Sequence, residues 1–155
     1  ALARRILAAP ETVAGCTVLD FGAGSGVAGI AAARAGAARV IACDEDPVAL
    51  AACIANATLN GVSLETATAL SGVGPVDVVL VADVLYDPAN LPLLDALLAR
   101  DARILLADSR VRPESLDAWT VVGELRADTI PDLDESPLFR TVRFYEPRPS
   151  ASDRA

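Results

Sequence analysis

Apolar and polar positions fall in blocks along this chain, and the blocks change period. CTVLDF (16–21), RVIACD (39–44), VDVVLVAD (76–83) and ARILLAD (102–108) are short and nearly continuous in apolar residues. Strands covered on both faces read this way. Between them lie stretches at helical spacing. VAGIAAARAG (27–36) is alanine-rich and closes on Gly36, a residue suited to a helix stop. DPVALAACIANATLNG (46–61) offers Asp46 as cap, Pro47 in the first turn and Asn60-Gly61 as the stop,. Its apolar stripe runs through Leu50, Cys53, Ile54 and Ala57. NLPLLDALLAR (90–100), preceded by Pro88, predicts a further helix and PESLDAW (113–119) a short one. LARRILAAPE at the start reads as part of a helix. A weak strand is expected around 64–69, and the segments 120–129 and 139–147 alternate like antiparallel partners,.

Alternating strands and helices predict an α/β fold, a Rossmann-like doubly wound and mostly parallel sheet with helices on both faces. Crossovers are then right-handed, and ligands sit outside the carboxyl ends of the strands. The residues to inspect are therefore those that end strands: Asp20 to Gly26, Asp44, Ala69 and Leu70, Asp83 to Asp87, and Asp108 to Arg110. A single domain over residues 1–147 is expected, with a loose tail at 148–155 and a further segment before Ala1,.

The first of these strand ends, VLDFGAGSGVAG (18–29), reads in two registers. One is D-x-G-x-G-x-G, with Asp20, Gly22, Gly24 and Gly26. The other is G-x-G-x-x-G, with Gly24, Gly26 and Gly29. Both hold an adenosine, but one suggests a sulfonium that gives up a methyl and the other a nicotinamide that moves hydride. Placing the tight turn at Gly22 leaves Asp20 at the strand tip, near a cationic ligand or backbone amides, whereas a turn at Gly24 would draw an unpaired carboxylate into the strand. Glycines there let the backbone, with Ala23 among it, pass close to a cofactor. Asp44 ends the next strand, where a carboxylate can accept from ribose hydroxyls. That spacing serves either cofactor.

Composition separates the two. Hydride transfer needs a proton donor beside the reacting carbon, usually His, Lys, or Tyr with Lys. All thirteen basic residues here are arginine, and histidine is absent. Methyl transfer asks chiefly for alignment and exclusion of water. The net charge of −8 argues against a nucleic-acid partner, since no basic stripe exists to follow phosphates,. No apolar run reaches the length that spans a membrane. Three cysteines without C-x-x-C spacing predict reduced core thiols in a cytoplasmic protein and no metal site,.

With these motifs in order, the chain resembles a class I, seven-β-strand S-adenosylmethionine-dependent methyltransferase over about residues 14–146. VLDFGAGSG resembles that family's first motif, IACDEDPVAL its second, and NATLNGV the end of the following helix. The resemblance implies sheet order 3-2-1-4-5-7-6 with the last strand antiparallel. It also implies S-adenosyl-L-methionine held by Asp20, Gly22, Ala23, Gly24, Gly26, Asp44, Glu45 and Ala82. An Asp often follows the third strand in the family; Ala69 stands there in this chain, so a backbone amide around Ala69 and Leu70 is implied at the adenine edge.

VADVLYD (81–87) narrows the likeness. Its D-x-x-Y form, Asp83 and Tyr86, is similar to the branch that methylates lysine in the β subunit of electron-transfer flavoprotein. That implies N-methylation of a protein lysine, with a small-molecule amine or hydroxyl as the alternative acceptor and an inactive cofactor-binding module as a third reading. Read from the residues, Asp83 can pair with an incoming ammonium and Tyr86 can wall its channel. Asp83 as a helix cap and Tyr86 as sheet-edge packing are the structural alternatives. Asp108 and Arg110 are expected either at substrate or as a surface ion pair. Asp132, Asp134 and Glu135 are expected to line an acidic substrate mouth or to form a solvated loop.

Overall fold

The computed structural model describes residues 1–128 and 136–148. Seven strands form one sheet: β1 (Thr17–Phe21), β2 (Arg39–Cys43), β3 (Glu65–Ala67), β4 (Val78–Ala82), β5 (Arg103–Asp108), β6 (Trp119–Arg126) and β7 (Thr141–Pro147). Their order is β3-β2-β1-β4-β5-β7-β6. β7 runs antiparallel to both neighbours and the other pairings are parallel. This is the order and direction the resemblance implied.

Side chains alternate across the sheet because successive residues of a strand point to opposite faces. Val18, Val40, Val78, Leu80 and Leu105 pack on one side, with Leu2 and Ile6 of α1 (Leu2–Ala8) and Ala28, Ala31 and Ala32 of α2 (Val27–Arg34). Ala42 on the same side meets Leu50 and Cys53 of α3 (Pro47–Leu59). The opposite side buries Leu19, Ile41, Val79, Val81, Ile104 and Leu106 under Leu94 and Leu97 of α4 (Leu91–Leu98). Alanines on α2 bring that helix close to the sheet, which sets how its N-terminus meets the end of β1.

α3 has the stops its sequence predicts. Asp46 Oδ1 accepts from the Val48 amide at 2.8 Å, Pro47 opens the first turn, and Gly61 takes φ +67° just beyond the end. One stripe residue differs: Ile54 stays 40% exposed while Leu50, Cys53 and Ala57 are buried. The expected helix over 113–119 is only a 3-10 turn, Pro113–Ser115, and Trp119 already opens β6. A segment that short cannot hold a helix without tertiary support, and here the burial of Leu116 and Trp119 fixes an extended path instead. β6 carries a bulge between Val121 and Gly123. None of the described helices is long and apolar enough to cross a membrane. The acidic loop residues Asp132, Asp134 and Glu135, and the tail from 149 onward, lie outside the described residues.

Candidate functional site

The carboxyl ends of β1, β2 and β4 open onto a cavity of about 740 Å³. Parallel strands aligned in this way leave their last residues and the loops after them on one edge.

The loop after β1 is built from left-handed backbone. Gly22, Gly24 and Gly26 take φ +66°, +53° and +83°. The Gly22 and Ala23 amides both donate to Cys43 O, at 2.9 and 3.1 Å, which hooks the loop onto the end of β2. A Cβ at Gly24 would meet no atom within 4 Å, so this glycine faces open space along the cavity wall. Gly26 is different: it does not line the cavity, and a Cβ there would stand 2.5 Å from Cys53 Sγ. Its role is packing α2 against α3. Eleven of the twelve residues expected at the site line the cavity, and Gly26 is the exception.

Asp20 is the penultimate residue of β1 and is 2% exposed. Of the two settings expected for it, the backbone amide is present: its Oδ2 accepts from Gly29 N at 2.7 Å. Burial pushes its carboxyl up to about 7, the Gly29 hydrogen bond pulls the other way, and the charge of Asp44 adds to the rise. Burial also raises the neighbouring Cys43 and Cys53 thiols.

Asp44 follows β2. Its Oδ2 accepts from Gly24 N at 2.8 Å and its Oδ1 from Asp46 N at 3.0 Å. These bonds fix the carboxylate beside the glycine loop, and each oxygen retains acceptor capacity. Glu45 is exposed at the rim. Beyond β3, Ala69 and Leu70 form the wall, and the Ala69 amide donates no main-chain bond among the described residues.

Opposite lies the loop after β4. Asp83 takes φ +53°, the one positive value outside glycine among the described residues. Aspartate tolerates this region better than branched residues do. Its Oδ1 accepts from Ser109 Oγ at 3.3 Å and its amide donates to Ala107 O at 3.0 Å. Asp83 caps no helix; Asp87 caps the following turn by accepting from Ala89 N at 2.9 Å. Tyr86 is 64% exposed on the cavity lip, not packed at the sheet edge. Val84, between them, occupies with its Cγ1 the space a side chain at Gly22 would need. Asn90 Nδ2 donates to Val84 O at 2.7 Å and holds this loop in place.

Asp108 departs from both alternatives expected of it. It forms no surface ion pair, being 0% exposed, and it does not line the cavity. Its carboxylate accepts from the amides of Leu85 (3.2 Å), Arg110 (2.7 Å) and Val111 (2.8 Å), tying the loops after β4 and β5 together. The Arg110 guanidinium lies over the Phe139 ring at 4.9 Å. The first turn of α1 also lines the cavity, through Leu2 and Ala3, together with Asn90 and Leu93. Sequence reasoning did not foresee these, because nothing in an apolar helix start shows which strand end it will cross. No group of three His, Cys, Asp or Glu placed to hold a metal occurs among the described residues.

A glycine loop with an open wall at Gly24, a fixed carboxylate beside it and an acidic interior suit an adenosyl ligand that carries hydroxyls and positive charge. Comparison with known proteins agrees with that shape. A family model described as ribosomal protein L11 methyltransferase (PrmA) matches residues 7–105. The ribosomal protein L11 methyltransferase of Aeromonas hydrophila is 49% identical over 79 residues, covering 49% of this chain and 27% of that protein. The electron transfer flavoprotein beta subunit lysine methyltransferase of Rattus norvegicus is 35% identical over 117 residues, covering 70% of this chain and 46% of that protein. The chain thus spans less than half the length of these two relatives. The crystal structure of a ribosomal protein L11 methylase from Lactobacillus delbrueckii subsp. bulgaricus superposes with a TM-score of 0.71 at 23% identity, over 96% of this chain and 77% of the other, and shares the fold.

Proposed function

Since the chain belongs to the ribosomal protein L11 methyltransferase (PrmA) family, we propose that it is an S-adenosylmethionine-dependent methyltransferase acting on the amine of a protein lysine. One observation carries this reading: the glycine loop, Asp44 and the Asp83–Tyr86 loop all line a single cavity. Two of the relatives are named as protein methyltransferases, one of them for lysine.

When bound, the cofactor supplies a methyl group on positively charged sulfur. In this reading the Asp44 carboxylate accepts from its ribose hydroxyls, the loop at Gly22 to Gly24 lies along it, and the Ala69 amide reaches the adenine edge. Asp83 and Tyr86 receive the acceptor. A lysine must be neutral to attack, so its ammonium first gives up a proton to solvent. The Asp83 carboxylate first draws the ammonium in, then orients the amine after its proton has left. Its left-handed backbone and the Ser109 hydrogen bond hold that carboxylate still, so the gain is mainly one of orientation. Val84 against Gly22 sets the distance between the donor and acceptor halves.

Incubation with tritiated S-adenosylmethionine and cell lysate, resolved by size, tests the reading. The chain has no lysine of its own, so label on a lysine residue belongs to another protein. Label in protein supports the proposal. Label confined to small molecules moves the acceptor to a small amine or hydroxyl. Absence of label, together with no calorimetric binding of S-adenosylhomocysteine at about millimolar concentration, ends it.

A further inference from the structure

The carboxylates of the cavity are not equivalent. Asp44 accepts main-chain hydrogen bonds through both oxygens, and Asp83 accepts from Ser109. Asp20 is almost wholly buried yet lines the cavity. Its Oδ2 is held by Gly29 N, and its Oδ1 has no hydrogen-bond partner among the described residues. No fully enclosed side-chain oxygen among the described residues lacks a partner, so Oδ1 is the atom through which Asp20 reaches the open space.

Among the described residues no arginine compensates it from the elements around it, and the Ala1 amino group, which also lines the cavity, interacts with Asp83. β2 ends in Asp44, whose charge works against ionisation of Asp20, and α3 brings Cys53, a thiol that burial keeps protonated. Asp83 lies across the same cavity. α2 supplies the Gly29 amide, while its one basic residue, Arg34, sits in its last turn. On α1, Arg4 is exposed and Arg5 stacks over Phe144 at 4.7 Å.

We propose that Asp20 sets the cavity's preference for a ligand of net positive charge over its neutral counterpart, giving up its proton to solvent as that charge enters. The inference rests on the methyltransferase reading, which supplies such a pair. S-adenosylmethionine carries one net positive charge, and S-adenosylhomocysteine carries none. A positive charge placed beside a desolvated carboxyl favours its ionised form. The carboxyl sits at about 7 in the free protein, so near neutral pH a sizeable fraction holds a proton that binding can release. By linkage, a ligand that expels a proton binds more weakly as the medium becomes more acidic. S-adenosylhomocysteine keeps the α-ammonium but lacks the sulfonium, so its pull is weaker and Asp20 holds more of its proton beside it.

Titration calorimetry in phosphate and in Tris counts these protons, because the two buffers differ in ionisation enthalpy. Near pH 7 the wild-type chain should release measurably more protons per S-adenosylmethionine than per S-adenosylhomocysteine. In Asp20→Asn the two counts should become equal, and the affinity ratio should move toward S-adenosylhomocysteine by at least about threefold. Should that variant fail to fold, as Trp119 fluorescence would report, the wild-type Kd values decide. The value for S-adenosylmethionine should weaken as pH falls below about 7, and more steeply than that for S-adenosylhomocysteine. Equal proton counts for the two ligands in the wild type, or a difference that persists in Asp20→Asn, overturns the inference and leaves the methyltransferase reading intact. Failure of both ligands to bind overturns that reading and the inference together.

Discussion

Gly29 N lies 2.7 Å from Asp20 Oδ2, and a Cβ built on Gly29 would stand 2.9 Å from the same oxygen. α2 is thus pressed onto β1 through a hydrogen bond that only glycine leaves room for. Both readings of the glycine motif hold part of the truth: Gly22, Gly24 and Gly26 turn the backbone, and Gly29 closes the helix on the strand. Gly29→Ala should cost about 1–3 kcal/mol through overpacking, since Asp20 Cβ and Val40 Cγ1 also lie 3.3 Å from the new methyl,. A thermal melt should show a fall of roughly 2–10 °C.

Gly24→Ala should separate ligand binding from folding. The new methyl meets nothing in the protein, so its cost is that of a left-handed alanine, about 1 kcal/mol,. It projects where the proposed reading puts the adenosyl ligand, and calorimetry with S-adenosylhomocysteine should show at least about a tenfold loss of affinity.

Asp83→Gly removes the carboxylate while suiting the backbone, because φ +53° costs glycine nothing,. The thermal midpoint should stay within about 3 °C of wild type, and S-adenosylhomocysteine should bind within about twofold. Tritium transfer into lysate protein should fall by at least about a hundredfold, in line with the loss of a positioned polar group. Transfer at near wild-type rate would remove Asp83 from the acceptor site.

Asp108→Ala should be among the most damaging substitutions in the chain. It leaves the Leu85, Arg110 and Val111 amides without their common acceptor. Unsatisfied buried donors cost about 1–3 kcal/mol each. A loss of at least about 3 kcal/mol in urea denaturation is expected, with Asp108→Asn recovering part of it.

Asp20 also gives stability a pH dependence. Its carboxyl is raised from 3.8 to about 7 on folding. Between those values the unfolded chain has lost the proton and the folded chain has kept it, so stability is greatest below pH 4 for this group and falls as pH rises toward 7. The slope is on the order of 1 kcal/mol per pH unit. Urea denaturation of wild type and Asp20→Asn at about pH 5 and pH 7 should show the wild type losing ground relative to the variant as pH rises.

Much of this was legible from spacing. The nearly unbroken apolar runs at Val78–Ala82 and Arg103–Asp108 belong to strands covered on both faces, and covered strands end at the site. Asp44 and Asp83 could be found because they terminate such runs. Asp108 occupies the same kind of position, but its partners are main-chain amides, which leave no trace in residue type. Gly26 has the pattern of a cofactor glycine and also leaves room for Cys53, a contact between two helices that only the fold reveals. Leu2 and Ala3 reach the cavity because α1 crosses the sheet edge, a placement set by packing on α2 rather than by any local signal.

The left-handed glycines after β1 and the exposed lip at Tyr86 and Leu93 divide the molecule's freedom to change. At the first end the left-handed backbone disfavours any side chain, so mutation there is mostly loss. At the second, Tyr86 and Leu93 are solvent-facing and can be exchanged without disturbing the sheet. New acceptors would therefore be reached by altering the lip while the donor end stays as it is.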